Sequence, residues 1–81
     1  MSALDDFTLS FAPMEVLRRR MGVSQAAIGR LVGVTGSAVS NYATGRRVPS
    51  LTVAVALSRA MGAPLLGNLV AVVENRKPTK G

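Results

Sequence analysis

The chain has 81 residues, of which 48% are apolar and 17% are charged, and it contains no cysteine, histidine or tryptophan. This composition predicts one small compact domain and excludes a disordered chain, a disulfide scaffold and a thiolate metal site. The net charge is +6, and no acid lies between Glu15 and Glu74 while seven arginines do. We therefore expect a polyanionic partner for the central span.

Residues 1–12 are predicted to form an N-terminal arm. Phe7, Leu9 and Phe11 alternate with other residues, which is compatible with a short strand, although an irregular tail anchored on the core is slightly favoured. The first residues carry acids in place of the basic region of an export signal. The longest apolar runs are far below the ~20 residues that cross a bilayer. We expect no membrane partner and a cytoplasmic location, in the bacterial nucleoid or a host cell.

Apolar periodicity predicts five short helices between residues 13 and 74, with no strand pair, and therefore an all-α fold. The fourth helix is expected to bury Leu51 and Val55 together with Ala54 and Met61. Capping residues or prolines open the helices, and glycines close most of them. The openings lie at Pro13, Ser24, Thr35, Ser50 and Pro64, and the closing glycines are Gly22, Gly33, Gly45 and Gly62.

Helices two and three are joined by the short link "GVT", residues 33–35. Such a link forms a tight turn that sets two short helices at a steep angle, and the second helix of such a pair can lie in the major groove of DNA. Val39 and Tyr42 are expected to anchor the third helix to the core. Its small polar side chains share another stripe of the helix, because residues three and four apart are neighbours on its surface. They are Ser37, Ser40, Asn41 and Thr44.

The stretch "SQAAIGRLVGVTGSAVSNYATGRRVPSL" resembles the helix-turn-helix DNA-binding proteins of the Cro and cI repressor type, the Xre-like family. The resemblance runs from about Met14 to Leu66 and includes the flanking segments "LRRRMGVSQ" and "LSRAMG". It implies a compact, lambda-repressor-like bundle of about five short helices. Residues 13–74 would be the DNA-binding domain, and residues 75–81 a basic tail.

The resemblance also implies roles for individual residues. Two positions depart from the family pattern. Ala43 stands where the family often has a glutamate that pairs with the arginine at position 18, so Arg18 is expected at a phosphate or at the carbonyls of a helix end. Gly36 stands where a longer polar side chain is usual, so its N–H near a phosphate is an alternative to a base contact. The implied base-reading residues are Gly36, Ser37, Ser40 and Asn41, and the implied backbone-contacting residues are Gln25, Thr35, Thr44, Arg46, Arg47 and Arg18.

An enzyme is excluded by the lack of histidine and cysteine and by four acids that lie in two terminal groups. We expect a sequence-specific regulator, Cro- or repressor-like, that binds a palindromic site in double-stranded DNA as a homodimer and blocks transcription. No cofactor, metal or small-molecule ligand is expected, and a phage origin fits the family. The alternatives are an antitoxin-type interaction module with autoregulatory DNA binding and a sequence-neutral architectural protein.

The dimer interface is assigned first to the C-terminal apolar segment, with the Phe7–Phe11 arm second. A fifth core helix of the monomer is an equally weighted alternative for the first segment. The candidate interface residues are Leu65, Leu66, Leu69, Val70 and Val73.

Overall fold

The computed structural model describes residues 7–74, and within this range the chain folds into five helices and two short strands. The first six residues of the predicted arm and the predicted basic tail at 75–81 lie outside the described residues. None of the helices formed by residues 7–74 has the length and apolar character needed to cross a membrane. The elements are β1 (Phe7–Ser10), α1 (Ala12–Met21), α2 (Gln25–Val32), α3 (Gly36–Thr44), α4 (Leu51–Met61), α5 (Leu65–Asn68) and β2 (Ala71–Glu74).

Three of the helices begin where the sequence predicts, at residues with a side-chain hydroxyl group. Ser24, Thr35 and Ser50 each accept a hydrogen bond from the backbone N–H three residues further on, at 3.1, 3.0 and 3.3 Å. These bonds satisfy donors that the first turn of a helix leaves without a partner. The starts of α2, α3 and α4 are therefore decided by local chemistry.

A single apolar core joins the helices. Its largest fully buried side chains are Met14, Ile28, Val39, Leu57 and Leu69, contributed by α1 to α4 and by the segment after α5. The mainly helical architecture confirms the predicted fold class.

The predicted inner face of α4 is partly wrong. Leu51 and Val55 are exposed, whereas Ala54, Leu57 and Met61 are buried. Both sets have helical spacing, so the periodicity of the sequence fits either face. The packing of α4 against α2 selects the set that contains Leu57.

The fifth helix was expected to begin near Pro64 and to include the apolar residues up to Val73, and this extent is also wrong. Helix α5 ends at Asn68, and inside it Leu66 and Gly67 already have non-helical backbone angles. The chain then forms β2, which pairs antiparallel with β1 so that Phe7 faces Glu74 and Ser10 faces Ala71. Valines favour a strand, and β1 offers an edge to pair with. The strand, not the irregular tail, is thus the observed form of residues 7–10.

This change of structure corrects the predicted dimer interface. Leu69 and Val70 are buried in the core of the single chain, so they have no surface to offer a partner. Leu65 packs partly against the same core. Of the five predicted interface residues, Leu66 and Val73 are exposed.

Candidate nucleic-acid interface

The turn between α2 and α3 depends on two glycines. Gly33 ends α2 with a φ of +84°, a left-handed conformation that glycine adopts without steric cost. The N–H groups of Gly33 and Val34 both donate to the carbonyl oxygen of Gly29 at 2.8 Å. A Cβ on Gly29 would stand 2.5 Å from the carbonyl oxygen of Val34. The close approach of turn and helix therefore requires glycine at position 29, and it determines how α3 leaves α2.

Helix α3 is anchored on one side and free on the other. Val39 and Tyr42 are buried in the core, as predicted. Ser37 is exposed, and Ser40 and Asn41 are half-buried. The side chains of these three polar residues form no hydrogen bond within the part of the chain that the structure describes. Their donors and acceptors are available to a ligand, and the Asn41 amide offers both kinds.

Helix packing explains why residue 36 is glycine, and the sequence alone does not reveal this. A Cβ at this position would lie 3.1 Å from the Cα and 3.3 Å from the backbone nitrogen of Ala26. Helices α2 and α3 thus meet at Gly36 and Ala26, and the glycine allows their backbones to approach. Gly36 was predicted as a base-reading residue, but the observed contact accounts for the glycine without any ligand.

Two predicted backbone-contacting residues, Thr35 and Thr44, use their hydroxyl groups inside the protein. Thr35 caps α3 through the N–H of Ala38. The hydroxyl of Thr44 donates to the carbonyl oxygen of Ser40 at 3.0 Å. These bonds stabilise the two ends of α3, and both residues remain exposed.

Arg46 and Arg47 are placed by the end of α3. Gly45 takes a φ of +80°, and the N–H groups of Arg46 and Arg47 then donate to the carbonyl oxygen of Asn41 at 2.9 and 3.2 Å. Both side chains are exposed and form no ion pair among residues 7–74. Two positive charges are therefore held next to the polar stripe of α3.

Arg18, which was expected at a phosphate or at the carbonyls of a helix end, is hydrogen-bonded within the protein. Its Nε and Nη2 donate to the two carboxylate oxygens of Glu15 at 2.8 and 2.7 Å, and its Nη1 donates to the carbonyl oxygen of Val23 at 2.7 Å. Val23 lies just beyond the end of α1, so the alternative of a carbonyl at a helix end is the observed one. Glu15 supplies the carboxylate that Ala43 lacks.

Glu15 is a structurally important residue that the sequence interpretation missed. It also accepts hydrogen bonds from Arg19 at 3.2 Å and from the Gln25 amide at 3.4 Å. The hydrogen bond from Arg18, which is the largest effect, lowers the pKa of Glu15 from 4.5 to about 2 against an opposing effect of burial. The spacing of three residues between Glu15 and Arg18 is the signal that predicts the pair, since such residues are neighbours on a helix.

Gln25 links the first two helices through this carboxylate. It stands at the start of α2 and donates to Glu15 on α1. An amide nitrogen carries two hydrogens, so a second donor remains for a phosphate.

The charge of the described surface is almost entirely positive. Between Glu15 and Glu74 the chain has no acid, and Arg18 neutralises Glu15. No group of three metal-ligating side chains occurs among residues 7–74. Within residues 7–74 the exposed arginines are Arg19, Arg20, Arg30, Arg46, Arg47 and Arg59.

Comparison with known proteins agrees with this arrangement. A family model described as a helix-turn-helix domain matches residues 14–71, which is well over half of the chain. The chain belongs to the helix-turn-helix domain family. This membership confirms the predicted resemblance, and the matched range includes α2 and α3. No curated protein sequence matches the chain.

A solved structure resembles this helix-turn-helix protein over most of its length. It is the crystal structure of the P22 c2 repressor protein in complex with synthetic operator 9T in the presence of Tl+. The two chains are 28% identical, and their TM-score is 0.66. The similarity covers 75% of the present chain and 98% of the repressor chain.

Proposed function

We propose that this protein is a sequence-specific DNA-binding regulator that inserts α3 into the major groove of an operator and represses transcription. The observation that carries this function is that one face of α3 is buried in the core while the opposite face presents polar side chains. Val39 anchors the helix in the core, while the side chains of Ser37 and Asn41 on its other side form no hydrogen bond among the described residues. Membership of the helix-turn-helix family and the likeness to an operator-bound repressor support the same function.

The polar side chains of α3 and the two arginines that follow it suit different kinds of DNA contact. The Asn41 amide can form a bidentate pair with adenine, and the Ser37 and Ser40 hydroxyls can bond to either kind of base edge. Each good bidentate pair contributes ~1–3 kcal/mol of discrimination between bases. Arg46 and Arg47 would neutralise phosphates, which adds affinity without sequence preference.

We also propose that α1 and α2 contact the DNA backbone, through N–H donors that remain available on their side chains. Gln25 keeps one amide hydrogen after bonding to Glu15, and Arg19 is largely exposed. Gln25 opens α2, the helix that would cross the DNA backbone, and Arg19 on α1 donates to the same Glu15 carboxylate as Gln25 does. Arg18 is not assigned to DNA, because Glu15 and Val23 occupy its guanidinium group.

Two copies of the chain are proposed to act together. One small module buries little surface and reads few base pairs, so a palindromic operator would supply two half-sites ~34–36 Å apart. Repression would follow from occupation of the promoter by the dimer. We assign the protein no catalytic activity, and we place its action in the cytoplasm, where its DNA target lies.

Selection from random duplexes, followed by binding measurements over a salt series, tests this function. We expect an enriched sequence with two related half-sites and a preference for it that persists as salt rises. A steep salt dependence without any enriched sequence would instead indicate an architectural protein. Failure to bind any duplex, with the protein shown to be folded by circular dichroism, would favour an interaction module such as an antitoxin.

A further inference from the structure

The two strands form a ribbon that consists of residues 7–10 and 71–74. Ser10 and Ala71, the pair next to the helices, are half-buried, and the other six residues of the ribbon are exposed. The ribbon therefore projects from the helical body.

The two faces of the ribbon differ in character. Residues directly opposite in an antiparallel pair share a face, and successive residues alternate between faces. Because Leu9 pairs with Val72 and Phe7 with Glu74, one face carries Phe7, Leu9 and Val72, with Glu74 at its far end. We call this surface the apolar ribbon face. The other face carries Thr8, Ser10, Ala71 and Val73.

The apolar ribbon face is unusual for a chain that stays alone. Phe7, Leu9 and Val72 are 48%, 43% and 55% exposed. A two-stranded ribbon by itself is marginally stable in water. A partner that covers the face would stabilise the ribbon.

The distribution of charge indicates which partner fits. Residues 15–59 contain seven arginines and one acid and so account for the whole net charge of +6, whereas the three acids and three basic residues in residues 1–14 and 60–81 cancel. A polyanion or an anionic membrane is therefore attracted mainly to the arginines at positions 18–59. Two copies that each carry a net charge of +6 repel each other least when they meet at the ribbon end, away from the arginines.

We propose that the apolar ribbon face is the surface through which two copies of this chain associate. A two-fold axis brings the same patch of each copy together, so Phe7, Leu9 and Val72 cover their counterparts. Glu74 stays hydrated at the rim. This inference rests on the proposed function, which needs a dimer. It replaces the first predicted interface, Leu65–Val73, with a face that joins Phe7 and Leu9 of the second candidate, the Phe7–Phe11 arm, to Val72.

The size of the patch predicts a weak dimer in the absence of DNA. Three half-exposed side chains per copy amount to much less than the ~800 Å² that each partner buries in a standard interface. We therefore expect a dissociation constant of roughly micromolar size or weaker. Two adjacent half-sites would then hold the copies together through the raised effective concentration.

A matched pair of variants tests the face directly. Val72→Glu and Val73→Glu make the same substitution at neighbouring positions that are both exposed, 55% and 46%, but on opposite faces. Sedimentation equilibrium without DNA should show that Val72→Glu raises the dimer dissociation constant by roughly tenfold or more. Val73→Glu should leave it within about twofold. If glutamate prevents folding, Val72→Thr and Val73→Thr make the same comparison with strand-favouring residues.

Rival surfaces are tested in the same way. Leu66→Glu and Leu51→Glu alter the exposed apolar residues of α5 and α4 and should not weaken the dimer. The ribbon interface is wrong if either of them dissociates the dimer while Val72→Glu does not, or if the two valine variants behave alike. A wild-type chain that stays monomeric at its highest soluble concentration also overturns it.

Binding to a selected operator separates this inference from the proposed function. Val72→Glu should bind a single half-site as the wild type does and lose the tighter binding to two half-sites. If the wild type recognises an operator and Val72→Glu binds it equally well, the ribbon interface fails and the function stands. If the wild type dimerises through the ribbon and binds no DNA, the function fails and the interface stands.

Discussion

Gly29 and Val34 approach so closely that a Cβ at position 29 would lie 2.5 Å from the Val34 carbonyl oxygen. The oxygen belongs to the backbone of the turn and cannot rotate away as a side chain can. The same Cβ would be 3.0 Å from the carbonyl carbon of Thr35, the residue that caps α3. The orientation of α3 relative to α2 thus depends on the missing side chain of a residue inside α2.

Gly29→Ala is expected to destabilise the protein. Alanine at an unhindered helix position gains ~0.5–1 kcal/mol over glycine, but overpacking against backbone costs about 1–3 kcal/mol. We expect the second effect to dominate in urea unfolding at neutral pH. Arg30→Ala, at the exposed neighbouring position, should change the free energy of unfolding by less than about 0.5 kcal/mol. A Gly29→Ala protein more stable than the wild type would contradict the geometry of the turn.

Gly36→Ala tests whether Gly36 serves helix packing. The added Cβ would be 3.1 Å from the Cα of Ala26, so α2 and α3 must separate by a few tenths of an ångström. We expect a loss of about 1 kcal/mol in the free energy of unfolding, in spite of the higher helix propensity of alanine. Ser37→Ala, at the next and exposed position, should leave stability nearly unchanged. A rise in stability for Gly36→Ala would show that the site is open.

Glu15 predicts a pH dependence of stability. The ion pair with Arg18 lowers the pKa of Glu15 to about 2, below its ordinary value of 4.5. A depressed carboxyl pKa gives stability that is present above the ordinary value and is lost as the pH falls through the folded value. The difference in unfolding free energy between wild type and Glu15→Gln should therefore be about 1–2 kcal/mol at neutral pH.

The same difference should shrink as the pH falls from about 4.5 towards about 2. Urea unfolding of both proteins over this range measures it, and the other three acids cancel because both proteins contain them. Arg19→Ala is the control, since the exposed Arg19–Glu15 pair contributes little. Parallel pH profiles for wild type and Glu15→Gln would show that the ion pair is not a stabilising one.

Arg18→Ala and Arg47→Ala should differ in what they disturb. Arg18→Ala leaves a largely buried carboxylate without its main partner, and we expect a loss of about 1–3 kcal/mol of stability. The salt dependence of DNA binding by the folded fraction should be unchanged. Arg47→Ala should keep stability and flatten the salt slope by roughly one unit. A flattened slope for Arg18→Ala would restore its predicted phosphate contact.

Asn41→Ala and Arg46→Ala should divide specificity from affinity. Loss of the Asn41 amide is expected to relax discrimination at one base position by ~1–3 kcal/mol. Arg46→Ala should weaken binding to all duplexes and reduce the salt slope by roughly one unit. Arg59→Ala removes the same charge from α4 and serves as the matched control with little expected effect. Equal behaviour of the Asn41 and Arg46 variants on selected and random duplexes would refute the division of roles.

Much of the helical framework could be predicted from sequence because its causes are local. The hydroxyls of Ser24, Thr35 and Ser50 bond to N–H groups three residues away, so the helix starts depend on short stretches alone. The anchored and free sides of α3 follow from helical spacing of Val39 and Tyr42. The helix-turn-helix motif was predicted from these same stretches.

Contacts between distant residues could not be predicted in this way. The role of Gly36 depends on Ala26 of another helix, and the hydrogen bond from Gln25 to Glu15 joins α2 to α1. The inner face of α4 was misjudged because Leu51 and Leu57 both fit a helical stripe. Each of these outcomes depends on which neighbour occupies the space.

The sequence by itself determined the helix starts, the basic character of the surface and the polar stripe of α3, since these follow from composition and local hydrogen bonding. Only the tertiary structure decided the secondary structure and burial of the residues at the two ends of the described chain. Segment 71–74 became a strand because Phe7–Ser10 lies beside it, while Leu69 and Val70 filled the core. Pairing between residues so far apart in sequence depends on the folded helices that bring them together.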